Sequence, residues 1–545
     1  MNKIVLRSNV KIGENGAEND DAFLFKCFVD HPAFAEVINT GSSVSFLLGS
    51  TGVGKTAIIR MVANGNRVCE ELELQSMAMS YISNSDTINF LQGLEVDLTL
   101  FFQSLWKHIL CIEYIKVALS APSPDQFRFK VRRILDDVIK VREKARLEEF
   151  VDRYENQFWN TIDENLIELV DNFSKELNIE MGGEFKKFVG KAGYLHNLGS
   201  QQKVQLQQRA RKFVSDNVIG ELPSVVSALR DYTARRQDQY YILVDGLDEH
   251  WVDAKIKFQL LQALFESLRA LRKVRNFQVV VALRNDLYHR MVDETPSSQR
   301  QIEKYEDLIL RLKWTKGQLR ELADKRINHL FRHQYHSSDV HFDDVFKQQP
   351  DGKTTPWDYI LQRTLMRPRD VINFISLSLQ ESEGKSAVSK TAFLRAEGAY
   401  SELRRDTLVH EWSGTIPGVK VYLELLRSAP AYREASEFMH TKFIDRLYDE
   451  LGKEPEYQKD ILWKEIEKFV NEAGQLDPVH LAQQVLSRLH LIGAIGLKLQ
   501  QQWPWDWIYE SARPVNAQQI HSDTKFKVHP MLYASLDVRT RRSKR

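Results

Sequence analysis

Apolar and polar positions alternate along the 545 residues with two periods. Residues 44–48, 240–244, 277–283 and 308–314 are short, nearly continuous apolar runs closed by turn-forming or charged residues. That is the pattern of strands buried on both faces. A further strand is expected near 77–82. Between these runs the spacing turns helical, over 56–62 and through most of 86–236, where 101–106, Ile109 and Ile112 form one apolar stripe. Strands alternating with helices predict an α/β fold with a parallel sheet. From about Gln318 onward the spacing is helical. A helix over 478–489, the punctuating Gly493 and Gly496, and the run 526–530 then predict a helix followed by two short strands, a winged-helix-like end. The expected division is therefore 1–85 and 237–316 as two parts of one α/β core, 86–236 as a helical insertion, 317–400 as a helical lid, and 401–545 as a helical and winged region with a basic tail.

Composition narrows the class. A chain of this length corresponds to about three to four domains. The 75 Lys and Arg against 74 Asp and Glu leave a net charge of +1, which removes polycationic and polyanionic proteins from consideration. With 43% hydrophobic residues there is enough apolar surface for several cores, so long disordered stretches are not expected. No apolar run approaches the roughly 18 residues of a spanning helix, and residues 1–7 carry no secretory h-region. Cys27, Cys69 and Cys111 have neither zinc spacing nor an even count. The expectation is a cytoplasmic, reducing location without membrane contact.

The chemistry concentrates in two segments. Gly49-Ser50-Thr51-Gly52-Val53-Gly54-Lys55-Thr56 fits G-x-x-x-x-G-K-[ST], between a strand and a helix. Glycines let backbone N–H groups turn toward phosphate oxygens, and the helix N-terminus adds a positive dipole end. In such a loop Lys55 reaches the β/γ-phosphates and the Thr56 hydroxyl ligates Mg²⁺. The second segment, residues 240–249, is a buried strand ending in Asp245, Asp248 and Glu249. Asp245 is placed to hold the metal, and Glu249 or Asp248 to take a proton from an attacking water. The run 277–283 ends at Arg284, which either reads the γ-phosphate or pairs with Asp286. Arg367-Pro368-Arg369-Asp370 introduces a helix, and its arginines are either lid sensors of nucleotide or part of a helix start.

The pairing of this loop with Asp245-Gly246-Leu247-Asp248-Glu249 resembles the STAND class of P-loop ATPases, NACHT-type members included. The long helical insertion is closer to the KAP-type ATPases. Residues 17–21 and 27–29, Arg367-Pro368-Arg369-Asp370 and His529-Pro530 are similar to a poorly characterised bacterial P-loop ATPase family. The resemblance implies an additional-strand P-loop NTPase core with ATP and Mg²⁺, a helical lid, and use as a nucleotide-driven switch. It further implies bacterial anti-phage or mobile-DNA defence beside a separate effector protein. No WD, ankyrin, TPR or leucine-rich array follows, and KAP membrane helices are missing from the sequence.

Other functions stay open at this level. A DNA-binding or DNA-processing ATPase would use the winged end and the tail, whose residues 539–545 carry five positive charges. A nucleotide-gated scaffold would bind without appreciable hydrolysis, and a small-molecule kinase would not need the paired acids. Trp503-Pro504-Trp505-Asp506-Trp507 is either a stacking platform or a packed anchor. A homo-oligomer is expected, with Arg290 and Arg300 as the arginines able to act in trans. The dispersed histidines predict no structural metal.

Overall fold

The computed structural model describes residues 5–7, 10–65, 67–72, 88, 98–119, 168, 172, 200–219, 226–227, 239–249, 254–272, 276–294, 302–334, 339–472, 477–511 and 514–540. The chain divides into two units. One comprises Asp30–Thr51 and Lys55–Leu312, the other Met1–Val29, Gly52–Gly54 and Lys313–Arg545.

The first unit holds a five-stranded parallel sheet. Its strands are β1 (Phe46–Gly49), β2 (Val68–Glu71), β3 (Tyr240–Val244), β4 (Phe277–Arg284) and β5 (Ile309–Arg311), in the order β2-β3-β4-β1-β5. As the four apolar runs require, β3 is buried throughout and β4 over all but its last residue. The register sets Gly49 of β1 beside Arg284 of β4, and Val244 of β3 beside Val281 of β4. The segments that follow β1, β3 and β4 therefore leave from one edge of the sheet, the carboxyl edge where ligands bind in open α/β sheets. The strand expected near 77–82 lies outside the described residues. β2 instead forms from Val68, Cys69, Glu70 and Glu71, and among the described residues it pairs only with β3.

Helices cover the sheet because their apolar faces have nowhere else to go. Phe265 of the Ala254–Leu271 helix stacks on Phe46 of β1, with centroids 3.7 Å apart. The Thr99–Leu119 helix, inside the expected insertion, packs on the same helix. There the Trp106 indole donates to Leu260 O at 2.9 Å and the Ser267 hydroxyl to Gln103 O at 3.0 Å. The other long helix described in the insertion is Ser200–Ile219.

The second unit is mainly helical, with one core running through Lys316–Gln334, Pro368–Gln380 and Lys390–Trp412. Its second layer is the Pro478–Leu491 helix with an antiparallel sheet of β6 (Tyr432–Glu434), β7 (Ile495–Lys498) and β8 (Lys525–Val528), ordered β6-β8-β7. The first residues of the chain belong to this unit, an association the sequence pattern did not announce. Leu6 and Ile12 join its core, and Asp20 meets Arg326 at 2.6 Å with both side chains 4% exposed. Arg326 also donates to Ile12 O. Among the described residues no helix is long and apolar enough to cross a membrane.

Candidate functional site

β1 ends at Gly49 and the next helix, Lys55–Ala63, begins six residues later. The turn between them needs backbone that side chains resist, and Gly52 and Gly54 supply it with φ of +79° and +103°. Lys55 is buried, and its ammonium folds back to donate to Gly49 O and Ser50 O, both at 3.0 Å. Burial pulls its pKa down to about 8, against the opposing pull of the Asp245 and Asp248 carboxylates. Beside it, the Thr56 side chain hydrogen-bonds the Asp245 carboxylate, which also accepts from Gly246 N at 2.9 Å. Burial raises the Asp245 pKa, and the Thr56 bond, the Gly246 bond and the Lys55 charge offset part of that rise. One hydroxyl and one carboxylate thus converge next to a glycine-rich turn and a helix N-terminus. A hard divalent cation that keeps most of its waters takes such an oxygen pair.

The acids after β3 sit on a tight turn. Gly246 has φ +78°, and Glu249 N donates to Gly246 O at 3.0 Å. Glu249 curls back over this glycine: a Cβ at 246 would lie 3.4 Å from the Glu249 carboxyl carbon. Asp248 is engaged, its Oδ2 lying 3.1 Å from Nη1 of Arg284. Arg284 also donates from Nε and Nη2 to the two oxygens of Asp286, at 2.9 and 3.0 Å. The guanidinium at the end of β4 is therefore bracketed by two carboxylates. Arg290 lies over the Phe258 ring at 4.6 Å, and Arg300 lies outside the described residues.

Gly52, Val53 and Gly54 group with the second unit, where two residues meet them. Arg369 N donates to Gly52 O at 3.3 Å, and its side chain lies so close that a Cβ at Gly52 would meet Arg369 Cβ at 2.8 Å. Arg369 Nε donates to Asn15 O at 2.7 Å. The Trp314 indole donates to Val53 O at 2.8 Å. Trp314 carried no functional assignment in the sequence. The available signal was an indole N–H just past a core strand, a donor that has to find a partner. Arg367 has a different setting. It is buried against Asp370 at 3.1 Å, with Arg404 at 3.5 Å on the other carboxylate oxygen. Burial pushes the Asp370 carboxyl up, and the two guanidinium charges together with the hydrogen bonds from Leu365 N and Arg367 more than reverse this. His529 is buried as well. Its Nδ1 accepts from Met531 N at 3.2 Å, its ring meets Trp507 edge-on, and burial pushes its pKa down to about 3.

Residues 317–409 are similar to a known helical domain. The family model they match is described as the FunZ-associated C-terminal helical domain. The match starts at the beginning of the Lys316–Gln334 helix and ends near the end of Lys390–Trp412, so it covers Arg367, Arg369 and Asp370 but none of the sheet. No curated protein matches the sequence.

Proposed function

We propose that this chain is a P-loop NTPase of the additional-strand type that binds and hydrolyses ATP as a nucleotide-driven switch. The observation that carries the reading is the hydrogen bond between Thr56, first-turn residue of the helix after the glycine-rich loop, and Asp245, first residue past β3. The position of β4 between β1 and β3 adds support, since this order separates the loop strand from the acidic strand. In this reading the backbone of 49–56 cradles the phosphates, and Lys55 exchanges the carbonyls it now holds for β/γ oxygens. Thr56 and Asp245 hold Mg²⁺, which when bound neutralises charge developing on the transferred phosphoryl group. Glu249 is favoured over Asp248 as the group that takes the water proton, because Asp248 is ion-paired with Arg284. Arg284 reads the γ-phosphate by exchanging one of its carboxylates. Arg369 is the better placed of the two lid arginines, because Arg367 is committed to Asp370.

The resemblance to STAND- and KAP-type ATPases extends the proposal to anti-phage or mobile-DNA defence, with a protein effector as partner. A cytoplasmic homo-oligomer belongs to the same proposal. Steady-state ATP turnover of the wild type beside Lys55→Ala and Glu249→Gln, with and without DNA, tests it. The expected result is turnover in the wild type, no binding in the first variant, and binding without turnover in the second. Undiminished turnover in Lys55→Ala would refute the site. Binding without turnover in the wild type would leave a nucleotide-gated scaffold, and stimulation by DNA would favour a DNA-processing ATPase.

A further inference from the structure

We infer that the outward face of the β6-β8-β7 sheet binds single-stranded nucleic acid, by stacking bases on aromatic rings between lysines. The register fixes which residues share this face. Phe526 and Val528 of β8 and Ile495 and Leu497 of β7 point into the core, so the alternate residues Lys525, Lys527 and Lys498 lie on the opposite side. Tyr432 of β6 pairs with Lys527, and Glu434 with Lys525. Asp506 bridges Leu497 in antiparallel register, which brings Trp505 and Trp507 to the lysine side. Two contacts agree with that placement. Trp507 lies so close to Gly496 that a Cβ there would be 2.7 Å from its ring, and Trp505 reaches the Tyr432 ring, with centroids 5.9 Å apart.

The face therefore alternates rings and ammonium groups. Lys527 Nζ sits 5.2 Å from the Tyr432 centroid. Tyr432 is 59% exposed, and Trp505 beside it is half-buried. Three lysines face one carboxylate, Glu434, and none of the three forms an ion pair among the described residues. A docked protein helix would want an apolar strip. An exposed ring and a half-buried one beside uncompensated cations instead match a chain of π-faces on a phosphate backbone. The face lies wholly within the second unit and does not depend on the nucleotide reading.

The test is fluorescence anisotropy of the full chain with labelled oligo-dT, oligo-U and a duplex of equal length. Single strands should bind more tightly than the duplex, and the dT and U arms show whether DNA or RNA is preferred. With three lysines engaged at a slope of about −0.7 per phosphate, a fourfold rise in salt should weaken binding by about twentyfold. Tyr432→Ala and Trp505→Ala should each weaken it about tenfold. Lys525→Gln with Lys527→Gln should flatten the salt dependence, while Lys55→Ala should bind the oligonucleotide like the wild type. No binding at low salt, tighter binding of the duplex, or unchanged affinity in the ring variants would each overturn the inference. So would a loss of binding seen only when residues 541–545 are removed, because the tail would then be the contact.

Discussion

Lys55 carries a cost in the nucleotide-free protein that can be measured directly. Burial takes its pKa from 10.5 to about 8, and a displacement of that size corresponds to about 3 kcal/mol against the charged form. Between those two pH values the unfolded chain holds a proton that the folded chain has released, so stability rises with pH across this window. Below about pH 8 both states are protonated and the full cost is present. Lys55→Met keeps most of the stem and removes the charge. It also removes the bonds to Gly49 O and Ser50 O, worth about 1 kcal/mol each. The variant should therefore be more stable at pH 7 by about 1 kcal/mol, a rise of roughly 2–4 °C in the melting midpoint. The assay is thermal unfolding at pH 7 and pH 10, with and without Mg-ATP. At pH 10 the advantage should shrink or reverse. Saturating Mg-ATP, at about a hundredfold over Kd, should raise the wild type by the equivalent of about 2.7 kcal/mol and leave the variant unmoved. A variant less stable than wild type at pH 7, or equally advantaged at both pH values, would refute the burial argument.

Three further perturbations follow from the second unit. Asp370→Asn leaves the Arg367 and Arg404 charges buried without their carboxylate, so unfolding should become easier by about 3–5 kcal/mol, read from the melting midpoint. Arg395→Ala, which breaks a 3.9 Å pair with Glu381 at an arginine 69% exposed, should shift it little. Because the Asp370 carboxyl is held below its ordinary value, the stability it contributes is present above the usual carboxylate range and lost as pH falls through its lower folded value. Trp314→Phe removes the donor to Val53 O, and nucleotide affinity measured by titration calorimetry should weaken about fivefold, as for one lost hydrogen bond. Unchanged affinity would mean the loop holds its shape without the indole.

The sheet was legible where strands are buried on both faces, because burial forces a continuous apolar run. Tyr240–Val244 and Phe277–Arg284 are of this kind. β2 was not legible: among the described residues it pairs only with β3, and its half-buried and exposed residues, ending in Glu70 and Glu71, form no apolar run. The convergence of Thr56 and Asp245 was readable in advance, because each stands at the end of a recognisable element and a parallel sheet brings such ends to one edge. The setting of Arg367 was not, because its partners are decided by tertiary packing. Asp370 lies three residues away, but Arg404 arrives from the next helix to pair with the same carboxylate. The Trp314 contact was hidden for a similar reason, since a hydrogen bond to a backbone carbonyl leaves no trace in side-chain type.

The ion pair between Asp20 and Arg326 spans 306 positions, and that separation governs how the chain must be made. At roughly 5–20 residues per second of synthesis, the amino-terminal segment emerges about 15–60 s before the helix that covers it. Through that interval Leu6 and Ile12 have no core to enter. The sheet unit, encoded between them, can complete most of its own contacts while the first segment waits. The segment carrying Leu6, Ile12 and Asp20 is thus made early and buried late, and in between it lies open to chaperones and proteases.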